Sequence, residues 1–222
     1  MKDLLVIVPT RGRLANCQRL TESVEATREL DTDMVFVADT DDEDTYDGLT
    51  LPPWAQIHFV PRQPIGPKRN LFAVPAANEY PAVMCSDDDH EAETKGWDRL
   101  LLEPLKDGPG ISYPDDKRRI DIPETPVVTS DIIKALGWIC EPSMNHYYID
   151  NVWADLANSI NRLFYVPEVI HRHHHYHLDP SVKRDQTYAD GEVNGPHDMA
   201  AYARWRETRM EADIATVRGL LW

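Results

Sequence analysis

The chain has 222 residues, with 38 acidic against 23 basic side chains and a formal net charge of −15. That length supports one substantial hydrophobic core rather than two full domains. No apolar run approaches the ~20 residues that cross a bilayer, and the negative charge opposes nonspecific attraction to nucleic acid or anionic lipid.

Met1-Lys2-Asp3-Leu4-Leu5-Val6-Ile7-Val8-Pro9 has too short an apolar part for a signal peptide and no small-residue cleavage site, so it reads as a buried strand in a cytoplasmic protein. The loop Pro9 to Arg13 follows, then an amphipathic helix from Leu14 to Leu30. Met34 to Ala38 repeats the strand signal and the acidic stretch Asp39 to Gly48 ends it. Ile57 to Val60 is a third strand, Lys68 to Asn78 a helix with Pro67 near its first turn, and Ala82 to Cys85 a fourth strand. This alternation predicts an α/β fold with a mostly parallel sheet, whose ligands sit at the carboxyl ends of the strands.

The second half is less regular. Gly96 to Leu105 reads as a helix, Gly110 to Tyr113 and Thr125 to Thr129 as strands, and Ser130 to Leu136 and Ile149 to Ile160 as helices. Arg162 to Ile170 is a last strand that runs into His171 to His177. A polar linker from Asp179 to Gly195 then leads to a helix over roughly Asp198 to Leu221. The expected organisation is a catalytic domain over 1–178 and a linker with a C-terminal helix over 179–222.

Chemistry concentrates at a few places. Ser86-Asp87-Asp88-Asp89-His90 follows the fourth strand directly, and three adjacent carboxylates repel one another unless a hard cation or a proton compensates. The alternative is a solvated acidic turn. In His171-Arg172-His173-His174-His175-Tyr176-His177, strand alternation puts His171, His173, His175 and His177 on one face, with His173 and His175 the first candidates for metal ligands. Otherwise this is a surface loop of neutral histidines. Gly66-Pro67-Lys68-Arg69-Asn70 at a helix start offers free N–H groups and cations to an anion, or simply caps the helix. Arg11 and Arg13 add positive charge at the same edge. No GxxxxGK[ST] loop, GxGxxG turn or GxSxG elbow is present, which removes the main support for a kinase, a dehydrogenase or a serine hydrolase. Cys17, Cys85 and Cys140 are too scattered for a disulfide framework or a thiolate zinc site.

In order along the chain these segments resemble the glycosyltransferase family 2-like enzymes of the GT-A fold, from Met1 to about His177. The resemblance implies a Rossmann-like, mostly parallel sheet flanked by helices in a single domain with a helical tail. It also implies a nucleotide-sugar donor, most often a UDP-sugar, with Mn²⁺ or Mg²⁺ as cofactor. Val6 to Arg13 is similar to the family's first strand and nucleotide loop, which puts Pro9, Thr10, Arg11 and Arg13 at the donor. Asp39 takes the place of the Asp that holds base or ribose, and Gly66, Lys68, Arg69 and Asn70 match the glycine-to-Arg-Asn segment. The triple aspartate resembles the DxD element, with Asp87 and Asp88 on the donor and Asp89 on the metal, completed by His173 or His175. Gly96-Trp97-Asp98 resembles the segment that follows, and Tyr148 to Trp153 the later acidic motif, so Asp150 becomes the base that deprotonates the acceptor.

The implied reaction is an inverting sugar transfer in which the metal, Lys68 and Arg13 neutralise the leaving diphosphate. Trp97, His146 and Trp153 are the expected acceptor contacts, although aromatics there also suit a core. The acceptor is a hydroxyl on a glycan, a protein, a small molecule or a modified DNA base, the last being the only role the charge leaves to nucleic acid. The C-terminal helix, with Trp205, Leu220, Leu221 and Trp222, packs on the domain or pairs chains into a homo-oligomer. A nucleotidyltransferase and a non-catalytic nucleotide- or metal-binding protein of the same fold are the alternatives.

Overall fold

β1 (Leu4–Pro9) is buried along its whole length. Its run is apolar without alternation because both faces are covered: Leu5 and Ile7 belong to one core cluster, Leu4, Val6 and Val8 to the other. The structure is a computed structural model and describes residues 2–221, which leaves Met1 and Trp222 outside the described residues.

α1 (Leu14–Thr27) crosses from β1 to β2 (Thr32–Asp39), and a 3₁₀ turn over Thr40–Tyr46 occupies the acidic stretch. β3 (Ala55–Val60), α2 (Ile65–Ala76) and β4 (Ala82–Cys85) follow. Then come β5 (His90–Ala92) and α3 (Trp97–Leu102), which tightens into a 3₁₀ turn at Glu103–Leu105, where Pro104 cannot donate a helical hydrogen bond. β6 (Ile111–Asp115), β7 (Val127–Thr129), α4 (Ser130–Leu136), α5 (Ile149–Ser159) and β8 (Leu163–His173) complete the sheet and its cover. The chain ends in α6 (Gln186–Glu192), α7 (Gly195–Thr208) and α8 (Met210–Arg218).

The sheet has eight strands in the order β3-β2-β1-β4-β7-β6-β8-β5. β1 pairs in parallel with β2 on one side and β4 on the other, β2 with β3, and β6 with β8. β7 runs against β4 and β6, and β5 against β8. The chain winds outward from β1 to β3 and then returns to the opposite side of β1 with β4. That reversal opens a crevice beyond the carboxyl ends of β1 and β4, the place where open α/β sheets hold ligands. Thr10 to Arg13 leave β1 at this edge and Ser86 to Asp89 leave β4 there.

Two expectations are corrected, and one strand is added. β5 is a strand of three residues, too short to show periodicity, formed because His90 and Ala92 pair with His173 and His171. The histidine run is not strand throughout: β8 ends at His173, and a turn carries His174 to Leu178, with the His175 amide donating to the His173 carbonyl. The segment expected as a polar linker contains α6, and the expected single C-terminal helix breaks at Arg209. That break lets Trp205 donate from Nε1 to Asp213 Oδ2 at 2.8 Å while Ala201, Trp205 and Val217 all enter the core. Val193, Met199 and Leu221 of the tail stay exposed.

Candidate functional site

At the end of β2, Asp39 is buried between two cations: Lys68 Nζ lies 2.6 Å from Oδ1, and Arg11 Nη1 lies 3.0 Å from Oδ2. Lys68 is itself buried, so α2 delivers a charge that only this carboxylate balances. Arg11 also reaches Asp41 in the acidic 3₁₀ turn. The structure thus gathers Arg11, Asp39 and Lys68 into one ion-paired cluster at the carboxyl end of β2.

The triple aspartate divides its work. Asp87 is partly exposed and pairs with Arg69, whose Nη2 lies 2.7 Å from Oδ1. Asp88 is buried and tied to the β1 loop: Thr10 Oγ1 donates to Oδ2 at 2.6 Å, and Arg13 Nη1 and Asn16 Nδ2 reach Oδ1 at 3.0 and 3.4 Å. Burial pushes the Asp88 carboxyl up to about 6 despite Arg13. Thr10 also bonds Tyr46 Oη and Cys17 Sγ, so Asp88 and Thr10 bolt the β4 loop to β1.

Asp89 turns the other way. Its Oδ1 faces His173 Nε2 at 3.4 Å and His90 Nδ1 at 3.5 Å, and forms no hydrogen bond with either. Both ring nitrogens of the fully buried His90 are also without hydrogen-bond partners. The rings of His90 and His173 stack with centroids 4.3 Å apart, as their pairing across β5 and β8 requires. Burial opposes the charge on Asp89, yet His173 and His90 hold it well below the usual carboxylate range. Burial likewise opposes charge on His173, but Asp89 and Glu124 carry its imidazole up to about 10.

Orphaned buried polar atoms cost about 1–3 kcal/mol each, and a divalent ion taking one lone pair from each of Asp89, His90 and His173 would relieve Asp89 Oδ1 and one His90 nitrogen. Two donors at about 2.1 Å from one ion stand roughly 3.0–3.5 Å apart, the spacing found between Asp89 and each histidine. One carboxylate with two imidazoles suits a transition-metal ion better than Ca²⁺. These residues therefore fit a metal.

Other expected site residues lie elsewhere. His175 is not among the converging donors: past the end of β8 its Nδ1 accepts from the His177 amide, and its ring faces Tyr188. Burial pushes His175 down to about 4. Asn70 holds loop backbone, since Oδ1 accepts from the Ile139 and Cys140 amides and Nδ2 donates to the Cys140 carbonyl. Gly66 allows α2 to approach the neighbouring loop, where a Cβ would meet the Met144 carbonyl at 2.7 Å. Pro9 is the last residue of β1, in register with Val37. Trp97 and Trp153 are 1% and 2% exposed and offer no face to an acceptor. Trp97 stacks on His171, and Trp153 donates from Nε1 to the Ile139 carbonyl.

Asp150 stands in the first turn of α5 and accepts from the Asn151 amide at 3.0 Å. Burial raises its carboxyl to about 6, with Glu124 adding to the rise and Arg119 opposing it. That value lets it take a proton near neutral pH. His146 is packed beneath the tail: a Cβ at Gly191 would come within 2.9 Å of its ring.

Several residues at the site escaped the sequence reading. His90 adjoins the aspartates, and its position immediately after Asp89 was the available signal. From the tail, Asp185 takes Arg13 through both oxygens at 2.8 and 2.9 Å, Tyr188 Oη donates to Asp89 Oδ2 at 2.8 Å, and Thr187 donates to the Arg11 carbonyl. The Arg13 guanidinium lies over the Tyr188 ring, 4.3 Å from its centroid. These residues sit in a polar stretch with no periodicity to mark it.

No family model matches the chain, and among curated proteins no similar sequence is found. Solved structures do resemble it. S. aureus TarS 1-349 in complex with UDP superposes with a TM-score of 0.56 at 14% identity, over 77% of this chain and 59% of that one. The mannosyltransferase PcManGT from Pyrobaculum calidifontis, in complex with GDP-Man and Mn²⁺, gives 0.57 at 12% over 98% of this chain and 73% of that one. GalNAc-T7 with UDP, GalNAc and Mn²⁺ gives 0.60 at 13% over 78% and 44%. The chain spans less than two thirds of the TarS fragment and less than half of GalNAc-T7. What they share with this chain is the GT-A fold.

Proposed function

We propose that this protein is a metal-dependent glycosyltransferase that transfers a sugar from a nucleotide-sugar donor to a hydroxyl acceptor. The observation that carries this reading is the convergence of Asp89 with His90 and His173 beyond the carboxyl end of β4, with donor atoms left unsatisfied. The fold supports it, since the similar structures hold UDP, GDP-Man or UDP-GlcNAc and, in two of them, Mn²⁺.

In this reading Asp89, His90 and His173 hold Mn²⁺ or Mg²⁺, which supplies Lewis-acid stabilisation to a leaving diphosphate. Arg13 adds positive charge beside Asp88 and Asp89. Asp39, with Lys68 and Arg11, forms the polar pocket for base and ribose. Asp87 and Arg69 present charge toward the donor sugar, and Asp150 accepts the acceptor's proton as its oxygen attacks, with inversion at the anomeric carbon. Desolvation, with the charge of Glu124 adding to it, is what keeps Asp150 basic enough for that step.

The test is calorimetric titration of UDP and GDP into the protein with and without Mn²⁺, repeated on Asp89→Ala. Binding that requires Mn²⁺ and disappears in the variant is the expected result. If both nucleotides stay silent with Mn²⁺ present, the reading fails.

A further inference from the structure

Among the described residues, the loop between β6 and β7 makes no hydrogen bond or ion pair with the carboxylates that leave β4, yet it closes on His173 from the side opposite Asp89. Asp115 ends β6, and the carbonyl of Asp116 just beyond it accepts from the His173 amide at 3.0 Å. The Asp116 carboxylate accepts from the Arg118 and Arg119 amides at 2.7 and 2.8 Å, which turns the chain back toward β8. The turn brings in Glu124, whose Oε2 lies 3.2 Å from His173 Nδ1. Arg118 Nη1 lies 3.2 Å from the other oxygen, Oε1. The carboxylate is mostly buried, with its side chain 12% exposed, and so is poorly placed to exchange this partner for water.

An imidazole has two nitrogens, and the hydrogen bond made by one fixes what the other can do. We infer that Glu124 is a positioning residue that accepts the His173 Nδ1 proton, and so locks the ring with its Nε2 lone pair aimed at the ion beside Asp89. A carboxylate behind a ligating histidine both orients the ring and makes it a stronger donor. The inference rests on the metal reading of Asp89, His90 and His173. The opposite arrangement, a cation among Asp116, Glu124 and His173, would use Nδ1 instead. Arg118 already balances Glu124, whereas Asp89 Oδ1 has no hydrogen-bond partner, so the ion belongs on the Asp89 side.

Mn²⁺ alone, titrated calorimetrically into the full chain and its variants, reads the effect. Glu124→Ala is expected to weaken Mn²⁺ roughly 10- to 100-fold. Glu124→Gln, whose amide oxygen still accepts from Nδ1, recovers part of that loss. The second readout is the ¹⁵N spectrum of His173 in wild-type protein loaded with diamagnetic Zn²⁺, which is informative even where a variant does not fold. It is expected to show a protonated Nδ1 and a metal-bound Nε2. Metal on Nδ1, or Mn²⁺ affinity unchanged in a folded Glu124→Ala, overturns the inference while leaving the metal reading intact. Wild-type protein that takes up no Mn²⁺ overturns both.

Discussion

The two flanks of the site are built on opposite terms. Around Asp39 both carboxylate oxygens have a cation within 3.0 Å, Lys68 at Oδ1, which forms no hydrogen bond, and Arg11 at Oδ2. Around Asp89, Oδ1 and both His90 nitrogens lack hydrogen-bond partners, and the groups nearest Oδ1 are the His90 and His173 imidazoles. A closed set of ion pairs is a structural element, and removing a member exposes the others to a low-dielectric interior. An open set of donors adds little to folding and gains its partner only from outside. The same residue types, buried alike, thus separate into those closed by cationic partners and those that the metal reading leaves for an ion.

The largest effect that sharpens this contrast is expected at Asp150, which stands apart from both sets. Asp150→Asn should lower the rate of transfer by about 10²–10⁴-fold, measured in single turnovers with a nucleotide-sugar donor. Its carboxyl is raised in the folded state, so the group favours folding while protonated, and that contribution is fully present below about pH 4 and lost as pH rises through about 6. Asp150→Asn should therefore be more stable than wild type at pH 8, by about 1–3 kcal/mol in urea titrations, and equal to it at pH 4. Full activity in the variant would remove Asp150 from the chemistry.

Next in size is the closed set. Asp39→Asn leaves the buried Lys68 without its counter-charge and should cost about 3–5 kcal/mol of unfolding free energy. A neutral result would show that Lys68 reaches solvent, and would break the distinction between the flanks.

The smallest effect on stability, and the most diagnostic, is on the open side. His90→Phe replaces two unsatisfied nitrogens with apolar edges inside the same stack of rings. Stability should stay within about 1 kcal/mol of wild type or rise, while Mn²⁺ affinity falls at least about tenfold. A large destabilisation with Mn²⁺ affinity retained would mean that His90 is a structural residue.

The same contrast explains what could be read in the amino-acid sequence. β1 and β4 announce themselves as short apolar runs, and Asp87 to Asp89 sit where a strand's carboxyl end must place them, so the crevice and its carboxylates were legible. His173 was legible as the last inward residue of β8. His175 was not, because alternation holds only while the strand continues, and nothing in a seven-residue run with five histidines says where it stops. Asn70 and Gly66 matched a donor-binding segment by type, but their atoms are committed to the 139–145 loop. Glu124 carries no local signal, since its partner lies 49 residues away and the two meet only when the 116–124 turn folds over β8. Tail residues Asp185 and Tyr188 reach the site through ionic and polar contacts, and such contacts leave no hydrophobic period to detect.

Asp185 gives one further consequence. Because it already fills Arg13 with a bidentate carboxylate, the proposed donor assignment has a diphosphate enter at that guanidinium by anion exchange rather than by addition. The number of negative groups on Arg13 is then the same before and after. Affinity for donor at this position depends on how a phosphate compares with a tethered carboxylate, and the ionic-strength dependence of binding is shallower than the count of cationic contacts alone would suggest.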